Sequence, residues 1–131
     1  MERARVTFPA RWATGNVLVV DVAGTFDDAV AAELCGLLGR MTDTGQRLFV
    51  LDFRGVEHCT TGAVRQFVGT ALGTEGAPDA GSVALVAHAA ARSALRAAGA
   101  DRLRGGIHAT LTDAIKACHP STPEELGEPA P

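Results

Sequence analysis

Most of the patterns that would mark this chain of 131 residues as an enzyme or a nucleic-acid binder are missing. It contains no H-E-x-x-H, G-x-S-x-G, Walker-type or G-x-G-x-x-G sequence, which removes the commonest zinc-peptidase, serine-hydrolase and phosphate-cradling arrangements. Lys and Arg number 12 against 15 Asp and Glu, a net charge of −3, so no basic excess is present to neutralise a phosphate backbone. Direct nucleic-acid binding is not expected. Apolar runs such as residues 17–20 fall far short of the roughly 20 residues that cross a bilayer, and the charged residues 1–11 hold no signal-peptide core. Membrane insertion is therefore not expected, and the chain is expected to stay in the cytoplasm. Its three cysteines, Cys35, Cys59 and Cys118, are odd in number, far apart and without a C-x-x-C pair. They read as free thiols in a reducing compartment, not as a disulfide framework or a zinc ribbon.

What is present suits one compact domain, since 47% apolar content in a chain of this length supplies one buried core. Residues 5–9 read as a short strand. Residues 17–22 form a β-branched run ending at Ala23 and Gly24, the signature of a strand meeting a turn. Leu18, Val20 and Val22 share one face of that strand; Val17, Val19 and Asp21 share the other, which is expected to be only partly covered. Such a face leaves self-association into a homodimer open. From Asp27 the period changes, and Val30, Leu34, Leu37 and Met41 form the apolar stripe of a helix capped by Thr25 or Asp27. A second strand spans residues 47–53, followed by a loop over residues 54–59. A second helix follows, carrying Ala63, Val64, Phe67, Val68, Ala71 and Leu72 on one broad face. After a loop over residues 73–81 come a third strand (82–87), a third helix (90–98) stopped by Gly99, a weak strand (107–109) and a short last helix. That final helix uses Leu111, Ala114, Ile115 and Cys118 at helical spacing. Residues 119–131 are rich in proline and glutamate with one leucine, too little apolar surface to offset ordering, and are expected to be a disordered tail. The expected domain therefore occupies residues 1–118. The alternation gives an α/β fold: a mixed sheet of four or five strands with about four helices packed mainly on one face.

The most informative segment is Leu51-Asp52-Phe53-Arg54-Gly55-Val56-Glu57-His58-Cys59-Thr60-Thr61-Gly62-Ala63, a buried strand leading to two hydroxyl residues at a helix start. It resembles the STAS family, anti-sigma-factor-antagonist type, in which an Asp-Ser-Ser-Gly motif opens the second helix. Gly24-Thr25-Phe26-Asp27 is similar to the family's Gly-x-x-Asp turn. Val83-Ala84-Leu85-Val86, the helix to Gly99 and Asp101-Arg102-Leu103 are similar to its later strand, helix and Gly-x-x-x-Leu ending. The resemblance spans residues 5–118. It implies a bacterial, non-enzymatic protein that binds an anti-sigma factor, often itself an ATPase-type serine/threonine kinase, and so regulates transcription. It also implies a phosphorylation site at Thr60, with Thr61 the alternative, and a partner surface around Asp27, Cys59, Thr60, Thr61 and Gly62; Arg65 and Gln66, off the apolar stripe of the second helix, are further candidate contacts. Cys59 stands where the family motif has its aspartate, which removes a charge and an acceptor, and the branched Cβ of Thr60 restricts its rotamer relative to serine.

Physical chemistry supports the same residues independently. A hydroxyl at a helix N-terminus sits beside unpaired N–H groups, so an added phosphate leaves the helix intact while placing about −1.5 to −2 charge on the surface. The bland reading makes Thr60, Thr61 and Asp27 ordinary helix caps. Two other functions stay open: a STAS scaffold or transport-associated module that is never phosphorylated, and a small-ligand or metal site where Cys59, His58, His88 and His108 approach the carboxyl edge of the sheet. No cofactor is expected of the chain itself; any ATP belongs to the partner.

Overall fold

The computed structural model describes residues 8–13, 15–76 and 81–118. Five strands form one sheet in the order β1-β2-β3-β4-β5: Ala10–Ala13, Val17–Phe26, Leu48–Cys59, Ser82–Val86 and Ile107–His108. β1 is antiparallel to β2 and every other pair is parallel, so each later strand is reached through a helix. The helices are α1 (Asp28–Asp43), α2 (Thr61–Gly76), α3 (Ala89–Ala97) and α4 (Leu111–Ala117).

Alternation along the strands divides the core in two. Leu18, Val20 and Val22 of β2, Phe49, Leu51 and Phe53 of β3, and Val83 and Leu85 of β4 are buried against α1, α2 and α3. Phe26, Phe53 and Phe67 meet edge-on or tilted with centroids 5.2 to 6.2 Å apart, tying the ends of β2 and β3 to α2. Each fully buried side chain of this size contributes roughly 1.5–3 kcal/mol relative to exposure. On the opposite face Val17, Val19, Val50, Ala84 and Val86 pack in a cluster with Ala114 and Cys118 of the α4 segment. That face is thus covered at Val17 and Val19, which are wholly buried, and only partly at Asp21, which is half-buried. The Cys118 thiol donates to the Phe49 carbonyl (3.3 Å), and burial pushes its pKa up to about 12.

Several boundaries differ from expectation for identifiable reasons. Among the described residues the first strand is Ala10–Ala13; Phe8 and Pro9 of the expected strand over residues 5–9 precede it, and residues 5–7 fall outside the described residues. In α1 the buried line is Ala31, Leu34 and Leu38, with Val30, Leu37 and Met41 flanking it half-buried. The supposed loop over residues 54–59 is strand: β3 continues to Cys59, paired with β2 as far as Phe26, and two register shifts absorb the irregularity. Gly55 makes that approach possible, since a Cβ there would lie 2.9 Å from the Ala23 Cβ. α2 likewise runs on to Gly76, within the expected loop; residues 77–80 lie outside the described residues, as does the expected tail from 119.

A buried carboxylate fixes the far end of α2. Glu75, 5% exposed, accepts from the backbone N–H groups of Val83 (2.7 Å), Arg104 (2.6 Å) and Gly105 (3.4 Å). Arg104 returns two bonds, to the carbonyls of Glu75 and Gly81, both 2.7 Å. This knot satisfies backbone groups at the start of β4 and before β5 that the sheet leaves unpaired.

Candidate functional site

β2 and β3 are parallel and end side by side at Phe26 and Cys59, so the helices that follow them start together. This is how residues 27 and 60, distant in sequence, come to one surface. Asp27 caps α1: its Oδ1 accepts from Val30 N–H (3.0 Å) and its carbonyl from Ala31 N–H (2.8 Å). Thr60 does the same for α2, its Oγ1 accepting from Ala63 N–H (3.2 Å) and its carbonyl from Val64 N–H (3.1 Å). Its own N–H donates to the Phe26 carbonyl (3.1 Å), locking the turn to the end of β2. Thr60 is half-buried and Thr61 is exposed, so the first hydroxyl is the fixed cap and the second is free on the surface.

The other sequence-selected residues fall around this point. Gly62 follows in the first turn of α2, and Arg65 and Gln66 form its exposed side, while Ala63, Val64, Phe67 and Val68 face the core. The Gln66 carbonyl meets the Cys35 thiol of α1 at 3.9 Å. Half-buried Cys59 is the last residue of β3. Two shallow depressions flank Thr60. One, against α1, is lined by Asp27, Asp28, Ala29, Thr60 and Gly62. The other, between α2 and α3, is lined by Cys59 to Thr61, Val64 and Arg65 on one side and by Ala94, Ala97 and Ala98 on the other.

Sequence reasoning missed Asp28 and the α3 alanines. Asp28 Oδ1 lies 3.1 Å from where a Cβ on Gly62 would sit, so this residue of α1 presses on the first turn of α2. Only the pairing of β2 with β3 reveals that neighbourhood; the adjacency of two acids after a strand was the available signal.

The histidines are not gathered with Cys59. His88 lines a separate depression on the second sheet face with Arg11, Asp21, Asp52, Arg54 and Gly55. His108 Nε2 lies 2.6 Å from the Gly105 carbonyl, and His58 is exposed on β3. Among the described residues no group of three or more His, Cys, Asp or Glu could hold a metal ion. The charged groups beside His88 are paired: Arg11 with Asp21 (3.0 Å) and Arg54 with Asp52 (2.7 Å). Burial alone would raise the Asp52 carboxyl, but hydrogen bonds from the Arg54 side chain and backbone, with the charges of Arg54 and Arg11, outweigh it and hold it below the usual carboxylate range.

No family model and no curated protein matches the chain. Solved structures do. An anti-sigma factor antagonist from Mycobacterium paratuberculosis aligns with a TM-score of 0.69 at 24% identity, over 86% of this chain and 93% of its own. The anti-sigma factor antagonist SpoIIAA in its unphosphorylated form aligns at 0.57 and 17%, over 87% and 99%. An uncharacterised protein from Shewanella loihica with a SpoIIAA-like fold aligns at 0.58 and 12%, over 90% and 99%. The chain has a STAS-like, SpoIIAA-like fold, as the sequence resemblance implied. Among the described residues no helix is long and apolar enough to cross a membrane.

Proposed function

We propose that this protein is an anti-sigma-factor antagonist, a cytoplasmic binding module and not an enzyme, that engages an anti-sigma factor through the surface around Thr60. The observation that carries the reading is the convergence of Asp27, Cys59, Thr60, Thr61, Gly62, Arg65 and Gln66 at the start of α2 in a fold that anti-sigma factor antagonists share. The partner is an ATPase-type serine/threonine kinase. It transfers the γ-phosphoryl group of its own ATP to Thr60 Oγ1: the new P–O bond forms, the bond to ADP breaks, and the hydroxyl proton leaves to a base of the kinase. The cap geometry supports this, because the Thr60 oxygen only accepts in its bond from Ala63 N–H and the bond does not engage the hydroxyl proton. A phosphate added there increases the negative charge beside Asp27 and Asp28 and blocks rebinding.

The test is a pull-down from native extract with wild type, Thr60→Ala and Thr60→Glu as baits, followed by intact-mass analysis of the recovered bait. An ATPase-type partner held by wild type and Thr60→Ala but not by Thr60→Glu, with one phosphate of added mass on wild type alone, is the expected result. A partner held equally by all three, with no added mass, replaces the switch with an unphosphorylated scaffold. Absence of any such partner refutes the antagonist role.

A further inference from the structure

Thr60 stands between two depressions of opposite charge. On the α1 side the charged lining residues are two carboxylates, Asp27 and Asp28. Asp27 is occupied in capping α1, whereas Asp28 is exposed and has no hydrogen bond or ion pair with a described residue. On the α3 side the lining is hydroxyl, thiol, valine and alanine, with Arg65 its one charged residue. Arg65 is exposed and likewise engages no described residue through a hydrogen bond or ion pair. Arg65 lines the same depression as Thr60 and Thr61, about one turn into α2, so its long side chain can reach a phosphate on Thr60 that enters this side. Rotation about the Thr60 Cα–Cβ bond decides which side a group on Oγ1 enters.

We propose that a phosphate carried on Thr60 is held by Arg65 in the cleft between α2 and α3, kept from the α1 side by Asp27 and Asp28, so that phosphorylation fills that cleft. The proposal rests on the reading that Thr60 is a phosphorylation site. A guanidinium meets a phosphate through two parallel N–H bonds, and a like-charged wall opposite makes the choice one-sided. The charged and titratable groups around the position are Asp27 and Asp28 from α1, Glu57, His58 and Cys59 from the end of β3, and Arg65 from α2; α3 lines the cleft with alanines only. Arg65 thereby becomes the residue that converts a charge change into occupancy of a surface a partner would use.

The experiment needs neither the kinase nor the partner. Full-length protein with phosphothreonine installed at position 60 is titrated by phosphorus NMR, alone and as Arg65→Gln and Asp28→Asn. Both substituted positions are exposed, and circular dichroism confirms that the fold is kept. Loss of the cation should raise the second phosphate pKa by roughly half to one unit, and loss of the anion should lower it. An Arg65→Gln titration that superimposes on the unsubstituted phosphoprotein overturns the clamp, and an Asp28→Asn titration that does not move overturns the acidic wall. Failure of the phosphorylation reading is seen separately, as missing phosphate mass on bait recovered from extract.

Discussion

Thr60 caps α2 and, in the proposed function, also carries the switch; replacing its hydroxyl measures the structural role. The side chain makes one neutral hydrogen bond, from Ala63 N–H at 3.2 Å, slightly longer than the commonest N–H···O distance, in a half-buried setting. Loss of an N-cap side chain costs about 0.5–2 kcal/mol, and this geometry places Thr60→Ala near the middle, about 1 kcal/mol. For a domain of this size that lowers the thermal midpoint by roughly 3–5 °C. Thr60→Ser keeps the oxygen and should stay within a few tenths of a kcal/mol of wild type. The fold survives in every case, because the bonds from Val64 N–H to the Thr60 carbonyl and from Thr60 N–H to Phe26 involve only the backbone. Urea unfolding of wild type, Thr60→Ser and Thr60→Ala reads the difference directly. Equal losses for Ser and Ala, or no loss for Ala, would refute the cap.

Other consequences follow from groups buried or paired in the fold. Glu75→Ala strands the N–H groups of Val83, Arg104 and Gly105, and at about 1–3 kcal/mol for each unsatisfied buried donor the loss should reach roughly 3–5 kcal/mol in urea unfolding; a loss below about 1 kcal/mol would contradict the knot. A thiol reagent should label Cys35 and Cys59 in the native protein and Cys118 only after unfolding, since the last is buried with its pKa pushed up to about 12; native labelling at Cys118 as fast as at Cys59 would show that α4 is not docked. The Asp52 carboxyl titrates lower in the folded chain than its unfolded value near 3.9, so its stabilisation is complete above that value and fades as pH falls through the folded pKa. Asp52→Asn should therefore lower stability at neutral pH, with the gap to wild type closing in acid; a pH-independent gap would contradict the pairing with Arg54.

Periodicity made most of the fold legible. The apolar face of α2 was readable because Ala63, Val64, Phe67, Val68 and Ala71 repeat at helical spacing and all reach the core. The length of β3 was not, because Arg54, Gly55, Glu57 and His58 are exposed, and the main-chain pairing with β2 that makes them strand leaves no hydrophobic pattern. Ala31 was overlooked in α1 because a small side chain at the centre of a helix face looks weaker than the larger residues on its rim. Glu75 occupies the position four residues after Ala71 on the apolar face of α2; a carboxylate there signals a buried acceptor, but its donors come from two remote segments. The site divides similarly. Thr60 and its neighbours form a linear motif, whereas Asp28 and the alanines of α3 join them only through strand pairing and helix packing.

The most direct test of the antagonist account is displacement. With the recovered anti-sigma factor bound to its fluorescently labelled sigma factor, the unphosphorylated protein should release the label, lowering its anisotropy to that of free sigma factor at stoichiometric excess. Protein carrying phosphothreonine at position 60 should leave the complex intact. Binding of the unphosphorylated protein to the anti-sigma factor without release of sigma factor would contradict the account.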